Sequence, residues 1–89
     1  MSISQFTIYS HPMFIAAAKT LAIDIEAKGH TAIVIDHLPK AMDLCQASSY
    51  RRVLIMGAYE SESNTVTEQR GCMSPFIQPR TEFLFSLTD

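Results

Sequence analysis

The apolar and polar positions in the first part of the chain predict a strand, a helix and a second strand. Residues 5–10 form a short extended run, and residues 12–28 carry apolar side chains at helical spacing. Gly29 suits the left-handed position that ends many helices, and residues 32–35 are a continuous β-rich apolar run. Because a tight turn cannot join parallel strands, this order predicts a parallel βαβ unit.

The rest of the chain continues the alternation. Pro39 stands before a predicted helix over residues 40–48, and the apolar runs at 52–56 and 83–87 predict a third and a fourth strand. A short helix is expected over residues 65–70, because a long structureless connection is unusual in a small domain. The expected fold class is therefore α/β, with a three- to four-stranded, mainly parallel sheet and flanking helices.

Composition narrows the classes of protein and partner. Residues 1–89 are expected to form a single domain, which is 47% hydrophobic with a formal net charge of −2. A chain this short and this apolar favours burial of apolar surface against a second copy. We therefore expect a homo-oligomer. The lack of a basic run argues against duplex nucleic acid, because phosphate neutralisation supplies most of that affinity. No apolar run approaches the roughly 20 residues that cross a bilayer, so no membrane partner is expected.

The two cysteines, Cys45 and Cys72, are too few and too isolated to predict a disulfide framework or a zinc site. Reduced thiols are the natural interpretation, and with no signal-peptide pattern at the start they favour a cytoplasmic location. No glycine-rich phosphate loop is present, and no metal-ligand spacing is recognisable. We therefore expect no cofactor and no metal.

Polar residues collect where the predicted parallel strands end. Since the carboxyl ends of parallel strands meet at one edge of a sheet, these residues are expected to line a shared crevice. The candidate ligand-binding residues are Ser10, His11, Asp36, His37, Tyr59 and Glu60. Such groups can do acid–base or ligand-orienting work. Other interpretations stay open: the histidines as surface turn residues, Asp36 as a cap of the second helix, and Tyr59 as a packing residue.

The segment that follows the third strand resembles a known family. Residues 62–68 read Glu-Ser-Asn-Thr-Val-Thr-Glu, similar to the acid-x-Gly-Thr-x-x-Glu segment of nucleoside 2-deoxyribosyltransferase-like proteins. Residues 58–60 resemble the Gly-Trp-Glu of small bacterial and phage members, and residues 10–13 resemble the small-Gly-Pro-Met end of their first strand. The similarity extends over about residues 8–68.

This resemblance implies a three-layer, flavodoxin-like fold and a nucleoside or nucleotide-like ligand. It implies that Glu68 is the nucleophile that attacks C1′ in cleavage of an N-glycosidic bond, as in retaining glycosidases. Glu62 or Asp36 would protonate the leaving base, and Tyr59 would orient a carboxylate or stack on the base. A second hypothesis is a catalytically inactive interaction or inhibitor protein of the same fold, which binds a nucleotide-like ligand or a protein partner. A third interpretation makes Glu60, Glu62 and Glu68 a solvated acidic loop.

Overall fold

The computed structural model describes residues 3–57 and 64–88, which contain five strands and three α-helices. In chain order these elements are β1 (Gln5–Ser10), a 3-10 turn (Pro12–Phe14), α1 (Ile15–Ala27), β2 (Thr31–Ile35), α2 (Ala41–Ala47), β3 (Arg52–Met56), β4 (Thr65–Gln69), β5 (Phe76–Pro79) and α3 (Arg80–Ser86). No helix in these ranges is long and apolar enough to cross a membrane.

The predicted βαβ unit is confirmed. Strands β1 and β2 are parallel, with Gln5 opposite Thr31 and Tyr9 opposite Ile35. Gly29 follows α1 with φ of 89°, the left-handed conformation that a glycine adopts without strain. The third predicted strand is also present, because β3 pairs with β1 in parallel. The α/β class and the central three strands therefore follow the sequence pattern.

The prediction of a mainly parallel, flavodoxin-like sheet is wrong. The strand order is β2-β1-β3-β4-β5, and both β4 and β5 run antiparallel to their neighbours. The predicted helix over residues 65–70 is strand β4 instead. Two causes act together: the link over residues 57–64 is too short for a crossover to a parallel strand, and Thr65, Val66 and Thr67 are β-branched residues that favour strands.

The predicted fourth strand over residues 83–87 is also wrong, because most of this segment belongs to helix α3. Phe83 is fully buried, Leu87 is nearly so, and Phe85 between them is 77% exposed. Burial four residues apart is the helical period, and the apolar run concealed it. Arg80 forms an ion pair with Asp24, which ties the start of α3 to α1.

The two faces of the sheet are covered unequally. Helices α1 and α3 cover one face over a large apolar core that consists of Phe6, Ile8, Ala18, Leu21, Ala22, Ile25, Leu54, Met56, Val66, Phe83 and Leu87. On the other face, among the residues that the structure describes, α2 is the only helix that packs, with Leu44 against Val53 and Ile55. Because α2 is short, this second face stays open over β2, where Ile33 is 54% exposed. We call it the open face.

The expectation of reduced thiols is wrong in this structure, which joins Cys45 to Cys72 by a disulfide. The bond links α2 to the turn between β4 and β5, with the two Cα atoms 4.7 Å apart. The Ser48 hydroxyl lies 3.1 Å from the carbonyl oxygen of Gly71 at the same junction. Residues 27 apart in sequence meet here because α2 ends beside the turn that follows β4. The sequence contained no pairing signal, since two cysteines alone define no framework.

The disulfide is expected to stabilise the fold by about 3 kcal/mol, because it closes a loop of moderate length in the unfolded chain. Reduction of the wild-type protein should therefore shift the urea midpoint, measured by circular dichroism, to lower concentration. In the Cys45→Ser/Cys72→Ser double variant, the midpoint should already be low and should not respond to reductant. A wild-type midpoint that reductant leaves unchanged would contradict the bond.

Candidate functional site

The residues predicted at the end of β1 are engaged locally. Ser10 is fully buried, and its hydroxyl donates a hydrogen bond to the carbonyl oxygen of His11 at 2.9 Å. His11 is exposed and caps the 3-10 turn, where its Nδ1 accepts a bond from the backbone N–H of Met13 at 3.2 Å. These contacts build the turn after β1 and leave Ser10 no access to a ligand.

The residues predicted at the end of β2 lie together on the surface. Asp36 Oδ1 and His37 Nδ1 are 3.9 Å apart, and both side chains are more than two-thirds exposed. With Lys19 they line a shallow depression of about 420 Å³. Asp36 does not cap α2, because the cap position is Lys40 and carries no side-chain hydrogen bond. Of the predicted ligand-binding residues in the described ranges, the structure therefore brings Asp36 and His37 together.

The predictions for Tyr59, Glu60 and Glu62 concern residues that lie outside the described ranges. Within residues 3–57 and 64–88, no group of three His, Cys, Asp or Glu side chains is arranged to hold a metal ion.

The resemblance implied that Glu68 begins a helix at the carboxyl edge of the sheet, but the structure shows otherwise. It lies within β4 opposite Leu54. Its side chain is 4% exposed and accepts hydrogen bonds from Arg52, from Nη2 at 2.7 Å and from Nε at 3.1 Å. Arg70 approaches the other carboxylate oxygen at 3.5 Å. Because Arg52 is the first residue of β3, the carboxylate is directed toward the amino ends of the parallel strands, away from Asp36 and His37.

A different site lies on the open face, in a groove between β1 and α2. Its floor is Thr7 and Tyr9, which alternate along β1 and so share one face of the sheet. One wall is the side of α2 that carries Asp43 and Gln46, and Tyr50 stands at the rim. The volume is about 420 Å³, within the range of small-molecule sites. We call this site the groove.

The turn after α2 completes the groove. The backbone N–H groups of Tyr50 and Arg51 both donate to the carbonyl oxygen of Ala47, which turns the chain back toward β3. This turn leaves the Tyr50 side chain 87% exposed. Among the described residues, no side-chain hydrogen bond engages Asp43, Gln46 or Arg51. The groove therefore combines aromatic rings with a carboxylate, an amide and a guanidinium that are all available to a ligand.

Comparisons with known proteins give a fold and no family. No protein-family model matches the sequence, and no curated protein matches it. Among solved structures, the chain is similar to the RNA-binding domain of threonyl-tRNA synthetase from Cryptosporidium parvum Iowa II, with a TM-score of 0.71 and 10% identity. The match covers 96% of this chain and 22% of that one, so the chain spans about a fifth of its neighbour's length. This likeness shows the fold alone.

The sequence pattern does not reveal the groove, because the residues of the groove belong to segments that the pattern predicts as scaffold. Tyr9 was part of a strand, and Asp43 and Gln46 were positions on a helix. A partial signal was present in Tyr50-Arg51-Arg52, where an aromatic residue precedes the one adjacent basic pair of the sequence. The alternation of Thr7 and Tyr9 within β1 could have placed both on one face.

Glu68→Gln is expected to destabilise the protein by about 2 kcal/mol, because it leaves the partly exposed Arg52 guanidinium without its buried carboxylate. Urea unfolding followed by circular dichroism would measure the loss. Glu82→Gln, at an exposed position of α3, is the matched control and should change stability little. If instead the wild type releases free base from deoxynucleosides and a folded Glu68→Gln variant does not, the nucleophile role that the resemblance implied would be supported.

Proposed function

We propose that this protein is a binding module that recognises an unpaired nucleobase, carried by a nucleoside, a nucleotide or a single RNA strand, in the groove between β1 and α2. The observation that carries the proposal is the juxtaposition there of Tyr9 and Tyr50 with the polar side chains of Asp43 and Gln46. An aromatic surface flanked by hydrogen-bonding groups is what recognition of an unstacked base requires.

Each group in the groove has a distinct role in the proposal. The exposed ring of Tyr50 offers a stacking surface, and base–aromatic stacking contributes about 1–3 kcal/mol per base. The Asp43 carboxylate accepts hydrogen bonds from amino or imino N–H groups of a base, whereas the Gln46 amide both donates and accepts. This combination favours a base edge that presents N–H donors, such as guanine or cytosine.

The proposal includes binding and no bond cleavage. The carboxylate that the resemblance implied as nucleophile, Glu68, is occupied by Arg52 and Arg70 and lies on the face opposite the groove. Asp43 is the single carboxylate among the described residues that line the groove, and no second acid lies beside it there. N-glycosidic cleavage of the retaining kind needs two carboxyl groups on either side of the bond.

The structural neighbour supports this proposal at the level of fold. Its domain is described as RNA-binding, and it shares this chain's architecture over 96% of the length. The net charge of −2 does not oppose the proposal. Single-stranded recognition draws on stacking and hydrogen bonds to base edges, whereas duplex binding depends on many phosphate contacts.

The proposal retains the homo-oligomer expected from composition. Two large apolar side chains of the open face stay uncovered, because Ile33 in β2 is 54% exposed and Ile77 in β5 is 52% exposed. Each belongs to an edge strand of the five-stranded sheet. Contact between two copies through these two side chains would bury both of them.

Binding is expected for at least one of adenosine, guanosine, cytidine and uridine. Titration of the isotope-labelled protein with each nucleoside should shift backbone amide resonances of Thr7, Asp43 and Gln46. Tyr50→Ala is expected to weaken binding about tenfold, since it removes the exposed stacking ring. Gln46→Ala should change the order of preference among the four bases, because it removes a hydrogen-bonding group.

Phe85→Ala is the matched control for the loss of an exposed aromatic ring. Phe85 is 77% exposed on α3, on the other side of the sheet, so its removal should leave nucleoside binding unchanged. Nucleoside binding that is equally strong in wild type and Tyr50→Ala would place the site outside the groove. Failure of all four nucleosides to shift any resonance would refute the proposal.

Sedimentation equilibrium is expected to show self-association that Ile33→Lys abolishes, because a charge on the open face would oppose burial there. Ile23→Lys is the matched control, since Ile23 is 65% exposed on α1 and away from that face. A wild-type protein that stays monomeric at every concentration tested would overturn this part of the proposal.

A further inference from the structure

A second concave surface adjoins the groove at the amino end of β3. It has a volume of about 480 Å³ and lies between the end of α2 and the turn after β4. The residues that line it are Ser48, Ser49, Arg51, Arg52, Glu68, Gln69, Arg70, Gly71 and Met73. Three of the chain's four arginines are among them, against a single carboxylate. We call this surface the arginine basin.

Glu68 orders two of these guanidinium groups without occupying all of their donors. Arg52 uses Nε and Nη2 on the carboxylate, and within residues 3–57 and 64–88 no group accepts a hydrogen bond from its Nη1. Arg70 approaches the carboxylate through Nε at 3.5 Å, and its side chain is 56% exposed. The Arg52 and Arg70 guanidinium carbons each lie 4.7 Å from a phenylalanine ring centroid, over Phe6 and Phe76 respectively. These contacts hold both guanidiniums in place before any ligand arrives.

The third guanidinium joins the basin to the groove. Arg51 lines both surfaces, and among the described residues its side chain has no hydrogen-bond partner. The excess of three guanidiniums over one carboxylate makes the basin positive in a chain whose net charge is −2. Guanidinium groups match the geometry of phosphate oxygens and bind them with paired, charge-assisted hydrogen bonds.

The wall of the basin is fixed by covalent and polar contacts. The disulfide between Cys45 and Cys72 holds the end of α2 against the turn after β4. The Gln69 amide donates to the carbonyl oxygens of Gly71 at 2.8 Å and Met73 at 3.0 Å, which shapes that turn. A preformed wall reduces the ordering cost of binding.

We infer that the arginine basin holds the phosphate of a nucleotide whose base lies in the groove. The inference rests on the proposed function and deepens it, because it makes a phosphorylated nucleotide, rather than a free nucleoside, the preferred ligand. The phosphate can be the monoester of a free mononucleotide or the diester of a single RNA strand. Arg51, at the junction of the two surfaces, contacts the ligand between base and phosphate.

Isothermal titration calorimetry at low ionic strength tests the inference with nucleosides, their 5′-monophosphates, inorganic phosphate and a single-stranded RNA tetranucleotide. The monophosphate is expected to bind about tenfold more tightly than its nucleoside, because charge-assisted hydrogen bonds are the strong ones. Arg70→Gln should reduce this ratio to about three, because it removes one of the three guanidiniums, and should leave nucleoside affinity unchanged. Lys28→Gln, which removes one exposed positive charge at the end of α1, should preserve the ratio.

The outcomes separate the inference from the proposed function. Equal affinity for nucleoside and monophosphate in the wild type would overturn the phosphate site and leave base binding intact. Binding of inorganic phosphate without any nucleoside binding would overturn the nucleotide assignment and the proposed function together. A ratio that Lys28→Gln reduces as much as Arg70→Gln would show long-range attraction rather than a basin, and would also overturn the inference. Tighter binding of the tetranucleotide than of the monophosphate would assign the basin to a diester.

Discussion

The contact between Arg52 and Glu68 connects the two halves of the sheet. The carboxylate lies on β4, the guanidinium on β3, and three N–H···O contacts of 2.7–3.1 Å join them. The same guanidinium lies over the rings of Phe6 and Phe83, so the ion pair is continuous with the apolar core. A carboxylate that is 4% exposed is tolerable only with such a partner, because an unpaired buried charge is strongly destabilising. Strand β4 therefore pairs with β3 in a register that keeps Glu68 within reach of Arg52.

Because β4 and β5 are antiparallel, helices cover the two faces of the sheet to different extents. A fully parallel sheet needs a helix for every crossover, and those helices cover both faces. Here β4 and β5 run antiparallel to their neighbours, and among residues 3–57 and 64–88 the open face is covered by α2 alone. On that face Ile33 is exposed, and the neighbouring groove lies between β1 and α2, with the buried Thr7 and the half-buried Tyr9 as its floor.

The sequence was sufficient for the first half of the fold and insufficient for the second. For β1, α1 and β2, the spacing of apolar residues, the length of each segment and the glycine after α1 all predicted the same strand–helix–strand unit, which the structure confirms. In residues 65–87 the local evidence was ambiguous, because Thr65–Gln69 and Phe83–Leu87 are too short for periodicity to separate strand from helix. Long-range contacts decided both: β4 is held between β3 and β5, and Phe83 and Leu87 both reach the main core. No local pattern encodes such contacts.

Because residues 65–70 form a strand instead of the predicted helix, Glu68 lies away from the site that the sequence predicted. Had residues 65–70 begun a helix after β3, Glu68 would have stayed near the carboxyl ends of the parallel strands, within the region of Asp36 and His37. In a strand that runs back along β3, three residues carry the chain on the order of 10 Å toward the amino end. Glu68 thus becomes a partner of Arg52 and Arg70, and its carboxylate orders guanidiniums that a nucleophile would leave free. From the sequence, Glu68 indicated bond cleavage. In the sheet, its carboxylate instead holds Arg52 and Arg70 in place on a positively charged surface that suits phosphate.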